Sequence, residues 1–223
     1  AIKEVRERAG SWFEPSLVAA FERTAANPAF WRVLASRGLQ QTIIELAPEQ
    51  GGEQVDEDYL DEVAAAFAQV VDSKSPYTAG HSDRVALFAD MIAEELCLST
   101  EKRRFLKRAA LLHDLGKLGV SNQILDKNGK LTDEEWQSVR RHPAQSQMIL
   151  SRISAFQELA RIAGDHHERL DGKGYPRGIA GDEICLETRI ITCADIFDAL
   201  TAERPYRGAM NVGKALEIMR ADV

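Results

Sequence analysis

Only five histidines occur in this chain of 223 residues, and two of them are adjacent in AGDHHERLDGKGYPRG, residues 163 to 178. The five are His81, His113, His142, His166 and His167. A single histidine on a helix is more often a hydrogen-bonded core or surface residue than a metal ligand, so the interpretation depends on the whole set. Together with carboxylates, imidazoles form a ligand set that Fe, Mn, Zn and Ni all accept.

Two aspartates interrupt stretches that are otherwise apolar. Asp114 follows His113 in AALLHDLG, and Asp195 lies within IITCADIFDAL. Burying a His–Asp pair is unfavourable without a partner, and a bound cation supplies one. Five imidazoles and two carboxylates exceed what one ion needs, so we expect two ions, with Asp114 able to bridge them. Two metals about 3.5–4 Å apart are the usual device for phosphoester hydrolysis.

A lysine follows the first histidine motif, and two glycines follow the second. On a helix, Lys117 lies four residues after His113 and three after Asp114, so the three side chains share one flank. Gly172 and Gly174 are expected where the second motif needs a positive φ or a close backbone approach. The adjacent histidines of this motif end a helix at the start of a loop, which lets both rings reach one ion.

The elements that position these groups are predicted to be helices, because apolar residues recur at helical spacing and alternation with a period of two is scarce. The predicted helices are 14–26, 28–37, 56–74, 81–98, 99–119, 131–142, 143–153, 154–164, 188–202 and 211–221. Thr132 and Glu135 form a capping-box pattern. Residues 165–187 are predicted to be a long ordered loop, and residues 47–58 a linker. The fold class is therefore all-α, a compact bundle over residues 55–223 with a helical segment over residues 1–54.

Composition limits the function. The formal net charge is −7, which argues against broad binding to nucleic-acid polymers or acidic membranes. The basic stretch EKRRFLKR, residues 101–108, is interpreted as a solvated helix face rather than a nucleic-acid patch. Three cysteines without CxxC spacing indicate a reducing compartment, and no signal peptide or membrane span is recognisable. We expect a cytoplasmic protein without membrane insertion, and an initial Ala rather than Met favours a fragment.

The motifs resemble those of the HD-GYP family, a branch of the HD-domain metal-dependent phosphohydrolases. The resemblance lies in HDLGK, residues 113–117, and HHERLDGKGYP, residues 166–176, and it covers roughly residues 56–223. YTAGHSDRV, RRHP and ADIFDALTAERPYR follow the family's order. The resemblance implies a bacterial enzyme, built as a helical bundle, that hydrolyses cyclic di-GMP to pGpG and often further to GMP.

The resemblance also implies the roles of the ligands. One metal would be held by His81, His113, Asp114 and Asp195, and a second by Asp114, His142, His166 and His167. Lys117 would contact the scissile phosphate and assist the leaving oxygen, while Asp114 would serve catalysis through both ions. The family favours Fe or Mn as the two divalent ions, and the nitrogen and oxygen ligands also accept Zn or Ni.

The resemblance places the substrate near four further residues. Tyr175 would shape the pocket, and Asp198, Arg204 and Arg207 match positions near which the family binds guanine and phosphate groups. Local pairing of Asp198 and surface positions for the two arginines stay open as alternatives. Some members carry a Glu four residues before the first motif histidine, where it serves a third metal. Tyr77 occupies that position here, so a binuclear site is expected.

The role of the N-terminal segment is open. RAGSWFEPSLVAAF, residues 8–21, is similar to a segment that commonly ends such domains, although it lies near the start of this chain. Residues 1–54 are interpreted as the tail of a preceding HD-like domain, with an ordinary helical lead-in as the alternative.

Three functions stay open from the sequence. The first is a cyclic di-GMP phosphodiesterase that uses a hydroxide activated by two metals. The second is a cyclic-dinucleotide receptor or interaction module with a weak or silent site, which the absence of Glu at position 77 keeps open. The third is a phosphohydrolase for another nucleotide, such as cyclic GMP-AMP. Whether the chain forms a homodimer or binds signalling proteins is also open.

Overall fold

The structure, a computed structural model, describes residues 2–46, 55–76, 78–203 and 208–221. The chain divides into two compact units, Ala1–Gln54 and Val55–Val223. The regular elements within the described ranges are helical, apart from one isolated bridge between Ala9 and Phe13. The all-α prediction is therefore confirmed. The origin of the first unit in a preceding HD-like domain stays a prediction.

Four short helices form the described part of the N-terminal unit. They are α1 (Ile2–Glu7), α2 (Pro15–Ala25), α3 (Pro28–Leu34) and α4 (Leu39–Leu46). α2 and α3 begin at prolines, which suit the first helical position because their fixed φ is helical and their missing NH would have no partner there. The sequence predicted these two helices but not α1 or α4, which are too short for a clear apolar period.

Nine α-helices occupy the described residues of the second unit. They are α5 (Glu57–Asp72), α6 (His81–Glu95), α7 (Thr100–Leu112), α8 (Asn122–Leu125), α9 (Asp133–Val139), α10 (His142–Leu150), α11 (Gln157–Asp165), α12 (Leu186–Thr201) and α13 (Val212–Ala221). The capping box of α9 is present as predicted, since Thr132 Oγ1 accepts from the NH of Glu135 and the Glu135 carboxylate accepts from the NH of Thr132. Most of the predicted linker 47–58 lies outside the described residues, and Glu57 and Asp58 open α5.

Helix α7 lies at the centre of this unit and packs against α5, α6, α11 and α12. Ala109 and Ala110 are fully buried, and their short side chains allow the neighbouring helices to approach closely. The other face carries the basic stretch, which pairs with acids of adjacent helices. Arg103 Nε donates to Asp90 of α6 at 2.8 Å, and Arg104 Nε donates to Asp61 of α5 at 2.7 Å. The solvated-face interpretation is therefore incomplete, because these cations join helices.

The predicted helix 99–119 is wrong at its C-terminal end. α7 stops at Leu112, and a 3₁₀ turn, Leu115–Gly119, follows Asp114, whose φ of −95° and ψ of 8° leave the α-helical region. A hydrogen bond from the NH of Lys117 to the carbonyl of Asp114, 2.8 Å long, keeps these two residues on one side of the turn. The expected proximity of Lys117 to Asp114 therefore holds, although the backbone that produces it is not α-helical.

Among the described residues, no helix combines the length and the apolar composition needed to cross a bilayer.

Candidate metal centre

Six of the seven predicted ligands lie at helix ends, and the fold brings all seven together. His81 and His142 are the first residues of α6 and α10, His113 and Asp114 follow α7, His166 and His167 follow α11, and Asp195 lies within α12. Their ligand atoms form three groups in which all atoms lie within 4.8 Å of one another. The groups are His81–His113–Asp114, His142–His166–His167 and His113–His166–Asp195. The first two groups match the division that the resemblance implies, while metal ligation itself stays a prediction.

Asp114 lies between the two groups and is almost completely buried. Its Oδ2 atom lies 3.3 Å from Nε2 of His81 and 3.4 Å from Nε2 of His113. Its Oδ1 atom lies 3.2 Å from Nε2 of His142 and 3.8 Å from Nε2 of His166. Burial alone would raise the pKa of Asp114, but the ammonium of Lys117 lowers it well below its usual value. Asp114 is therefore an anion with one oxygen toward each group.

The backbone orients three of the imidazoles. In each case Nδ1 lies within hydrogen-bonding distance of the carbonyl oxygen three residues earlier. The pairs are His113–Ala110 at 2.6 Å, His142–Val139 at 2.7 Å and His166–Ala163 at 2.8 Å. A carbonyl oxygen can only accept, so Nδ1 carries the proton and Nε2 presents a lone pair to the cluster.

Four of the inward-facing atoms lack a hydrogen-bond donor. Nε2 of His142 and Nε2 of His166 lie 3.2 Å apart, although the tautomer fixed by the backbone makes both atoms acceptors. Nε2 of His113 and Oδ1 of Asp114 are buried without a hydrogen-bond partner. Burial lowers the pKa of His113 and of His166, which disfavours a second proton at Nε2 of either ring. Buried acceptors that face one another need a cation, so the residues present fit divalent metal ions.

The group around His81 contains more carboxylates than the group of His142, His166 and His167. Oδ1 of Asp195 lies 3.4 Å from Nε2 of His81. Burial would raise the pKa of Asp195, but the positive charge of protonated His81 outweighs it and lowers that pKa. Burial lowers the pKa of His81, but the nearby carboxylates of Asp114 and Asp198 outweigh it and raise that pKa to about 9. A cation at Nε2 of His81, whether a proton or a metal ion, is therefore favoured.

Lys117 lies at the edge of the cluster. Its Nζ atom donates to Oδ2 of Asp114 at 2.5 Å, and its side chain is 18% exposed. The ammonium is therefore next to the proposed ions and partly open to solvent, which is where a phosphate contact requires it to be. That contact stays a prediction.

Two buried carboxylates that the sequence analysis missed hold the loop after α11. The Glu168 carboxylate accepts from the NH of Arg177 at 2.6 Å and from the NH of Gly178 at 3.1 Å. The Asp165 carboxylate accepts from Nε of Arg177 at 3.1 Å. Asp165 and Glu168 flank the paired histidines in sequence, and this spacing was the available signal. They hold the loop against the C-terminal end of α11, next to His166.

The two loop glycines have the roles that the sequence predicted. Gly172 has a φ of +73°, which L side chains rarely adopt. A Cβ atom on Gly174 would lie 2.4 Å from Cα of Glu168, so a side chain there would push the loop away from the backbone that follows the paired histidines. Both glycines therefore let the loop close beside the histidines.

Tyr175 lies against the imidazole group. Its ring stacks on His167 with centroids 4.8 Å apart and an interplanar angle of 29°, and the guanidinium of Arg140 lies 4.5 Å from the Tyr175 ring centre. Burial raises the pKa of the Tyr175 phenol, so it is neutral at any physiological pH. The sequence analysis missed Arg140. The predicted contact between Tyr175 and substrate is compatible with this position and stays a prediction.

Comparison with known proteins identifies the family of this chain. Residues 65–223 match the family model described as HD domain. This chain belongs to the HD-GYP family of HD-domain phosphohydrolases.

Relatives of this HD-GYP chain include two curated bacterial proteins. The 3'3'-cGAMP-specific phosphodiesterase 3 of Vibrio cholerae is 54% identical over 223 residues, which is 100% of this chain and 48% of that protein. The cyclic di-GMP phosphodiesterase response regulator RpfG of Xanthomonas campestris is 40% identical over 162 residues, which is 72% of this chain and 43% of that protein. The chain therefore spans about half the length of the curated relatives it matches.

A solved structure also resembles this HD-GYP chain. It is the crystal structure of a cyclic GMP-AMP-specific phosphodiesterase of V. cholerae, with a TM-score of 0.65 and 50% sequence identity. The match covers 100% of this chain and 51% of that one.

Close packing of two backbone segments sets the spacing between the halves of the HD-GYP site. A Cβ atom on Gly116 would lie 2.0 Å from the carbonyl oxygen of His142. The Ser146 hydroxyl donates to the carbonyl of His113 and accepts from the NH of Gly116, both at 2.8 Å. α10, which carries His142, is thereby fixed against the turn that carries Asp114.

Asp198 lies behind His81 in the HD-GYP site and is 1% exposed. Its Oδ2 atom lies 2.7 Å from Nδ1 of His81, and Arg84 donates from Nε to Oδ1 at 2.6 Å and from Nη2 to Oδ2 at 3.1 Å. Burial would raise the pKa of Asp198, but these hydrogen bonds lower it to about 2. Both oxygens contact protein groups, so the predicted substrate contact of Asp198 gains no support from its position and stays a prediction.

Three residues of the sequence analysis lie outside the described residues. They are Tyr77, Arg204 and Arg207. The expected absence of a third metal and the expected phosphate or guanine contacts of the two arginines therefore stay predictions.

Proposed function

We propose that this chain is the catalytic part of a metal-dependent phosphodiesterase that hydrolyses 3'3'-cyclic GMP-AMP. The observation that carries the proposal is 54% identity, over the whole chain, with a relative named as specific for that nucleotide. The relative named for cyclic di-GMP is 40% identical over 72% of the chain. The sequence analysis placed cyclic di-GMP first and cyclic GMP-AMP as an alternative, and the comparisons favour the alternative.

Two divalent ions would be held in the two halves of the cluster. The carboxylate half consists of His81, His113, Asp195 and Oδ2 of Asp114, and the imidazole half consists of His142, His166, His167 and Oδ1 of Asp114. When bound, such ions supply a strong nucleophile from water at neutral pH and stabilise negative charge on the phosphate. Fe or Mn is the proposed pair, with Zn or Ni also compatible with these ligands.

The chain's own cations would bring the substrate phosphate to this acidic site. Asp114 and Asp195 repel a phosphate, and the chain carries a formal net charge of −7. Lys117 lies next to Asp114 at the partly open edge of the cluster. Its ammonium can turn from the carboxylate to a phosphoryl oxygen and can donate a proton from Nζ to the leaving oxygen.

Tyr175 and the loop that carries it would form one wall of the substrate site. The ring is fixed between His167 and Arg140, and the loop is held by Asp165 and Glu168. A neutral phenol in this position can donate a hydrogen bond without adding charge. Arg140 is positioned beside the same wall, where its guanidinium can attract the second phosphate of a cyclic dinucleotide.

Turnover assays with the purified chain test the proposal. The protein is loaded anaerobically with Mn²⁺ or Fe²⁺ and supplied separately with cyclic GMP-AMP, cyclic di-GMP and cyclic di-AMP, with products separated by chromatography. We expect cyclic GMP-AMP to be cleaved at least about tenfold faster than the others, a preference of roughly 1.4 kcal/mol in the barrier. Faster cleavage of cyclic di-GMP would restore the first interpretation.

If the metal-loaded protein turns over none of these nucleotides, the receptor function is favoured instead. In that case binding of a cyclic dinucleotide without product formation, measured by calorimetry on the same preparation, is the discriminating result. Elemental analysis of the preparation gives the number and identity of the ions.

A further inference from the structure

We propose that Arg84 and Asp198 form a positioning pair for His81, so that ion binding in the carboxylate half depends on two side chains that do not ligate the ion. The inference rests on the proposed metal site and deepens it. It assigns Asp198 a role behind a ligand, in place of the predicted contact with substrate.

His81 differs from the other three imidazoles in the acceptor that its ring uses. The rings of His113, His142 and His166 each use the carbonyl oxygen three residues earlier. The equivalent carbonyl for His81 is that of Thr78, which accepts the backbone NH of His81 at 2.9 Å instead. The Nδ1 atom of His81 lies 2.7 Å from Asp198, 117 residues later in the chain.

Arg84 fixes the carboxylate that His81 uses. It lies three residues after His81 on α6, so the two side chains project from the same flank of the helix. Its guanidinium contacts both oxygens of Asp198 and also donates from Nη1 to the carbonyl of Ala79 at 3.0 Å. A planar guanidinium held at several points restricts how a carboxylate can rotate. Asp198 therefore faces His81 in one orientation.

The turn before α6 leaves room for this arrangement. Gly80 has a φ of +66°, and a Cβ atom there would lie 3.2 Å from Nη1 of Arg84. A side chain at this position would therefore meet both an unfavourable backbone conformation and the guanidinium. The glycine allows α6 to begin at His81 with Arg84 folded back beside it.

The pair has a direct effect on Nε2 of His81. A carboxylate that accepts from Nδ1–H fixes the tautomer and ring orientation and makes the opposite nitrogen a stronger metal ligand. Loss of such a partner typically weakens metal binding by about 10- to 100-fold. Asp198 contacts His81, and His142, His166 and His167 belong to the other half of the cluster, so this weakening should be confined to the carboxylate half.

Metal affinities of variants, measured without substrate, test the inference. Apo-protein is titrated with Mn²⁺ by calorimetry and in competition with a chromophoric chelator, so that the two ions are resolved. For Asp198→Asn we expect one ion to bind about 10- to 100-fold more weakly and the other to keep its affinity. Arg84→Ala should weaken the same ion by a smaller factor, and Arg84→Lys should recover part of that loss because it keeps the charge without the paired hydrogen bonds.

The chain offers a matched control on the same helix. Asp90 of α6 accepts from Nε and Nη2 of Arg103 at 2.8 and 3.0 Å, which reproduces the geometry of the Arg84–Asp198 pair away from the histidines. Asp90→Asn should keep both affinities. Wild-type affinity for both ions in folded Asp198→Asn would overturn the inference, as would equal weakening of both ions, which indicates a general structural role.

A further variant separates this inference from the proposed function. Asp114→Ala should remove both ions in the same titration. If it does, and Asp198→Asn has no effect, only the positioning role fails. If wild-type protein binds no divalent ion, the proposed function and the inference fail together.

Discussion

The carboxylate half of the site presents His81 and His113 together with Asp195 and one oxygen of Asp114, whereas the imidazole half presents His142, His166 and His167 with only the other oxygen of Asp114. The first half therefore carries most of the negative charge, and the second is nearly neutral. A divalent ion gains more electrostatic energy in the first half, because charges at contact distance in a buried site interact strongly. We expect the two ions to bind with different affinities.

The two halves also differ in what holds their ligands. In the imidazole half, backbone carbonyls orient His142 and His166, and those acceptors persist through any side-chain substitution. In the carboxylate half, His81 has a side-chain acceptor on another helix. Local helix geometry therefore orients His113, His142 and His166, whereas the orientation of His81 in the carboxylate half depends on the packing of α6 against α12. The following variants test this difference.

Replacing the residue shared by both halves should have the largest effect. Asp114→Ala removes an anion that faces four imidazoles, so we expect loss of both ions and a fall in turnover of at least about 1000-fold. Elemental analysis and product chromatography measure the two losses together. A variant that keeps two ions and full activity would contradict the bridging position.

Removing one ligand from the imidazole half should affect that half alone. His167→Ala leaves all ligands of the carboxylate half in place, so we expect one ion to remain and turnover to fall by about 100-fold. Titration of apo-protein with Mn²⁺ shows whether one binding step is lost. The matched variant Asp195→Asn should weaken the other step, and loss of the same step in both variants would argue against two separate halves.

Lys117→Ala should separate metal binding from chemistry. The ammonium contacts Asp114 but is a cation and cannot ligate a metal ion, so we expect both ions to stay bound while turnover falls by about 10- to 100-fold. Metal content and turnover are measured on one preparation. Loss of metal would show that Lys117 is needed to build the site rather than to act on the phosphate.

The smallest effect should come from the hydroxyl of Tyr175. Tyr175→Phe keeps the ring between His167 and Arg140, so metal content should be unchanged and turnover should fall less than about tenfold, the loss of one neutral hydrogen bond. Tyr175→Ala removes the wall itself and should raise the KM for substrate much more. Equal effects of the two substitutions would show that the hydroxyl, and not the ring, carries the role.

Sequence reasoning recovered the parts of this protein that depend on local pattern. The helical periods, the capping box at Thr132 and Glu135, and the glycines of the loop are signals that a few neighbouring residues carry. The candidate ligands were found because histidine and aspartate in apolar surroundings are costly without a partner. The family resemblance then supplied their division into two groups.

The sequence could not supply contacts between residues far apart in the chain. No local signal links His81 to Asp198, and the positions of Asp165 and Glu168 beside the paired histidines do not show that they contact Arg177 and Gly178. The predicted end of α7 was wrong because the close approach of Gly116 to α10 decides where the helix stops. The motifs also could not predict which cyclic dinucleotide is preferred. The metal ligands they contain act on the phosphodiester, whereas cyclic dinucleotides differ from one another in their bases.

Gly116 has a consequence for the tolerances of the site. The backbone of the turn contacts the backbone of α10 there, and no side chain lies between them whose rotamer could adjust. The distance between the two halves of the site is therefore fixed. A single methyl group added at position 116 would change the distance between all the ligands of one half and all those of the other.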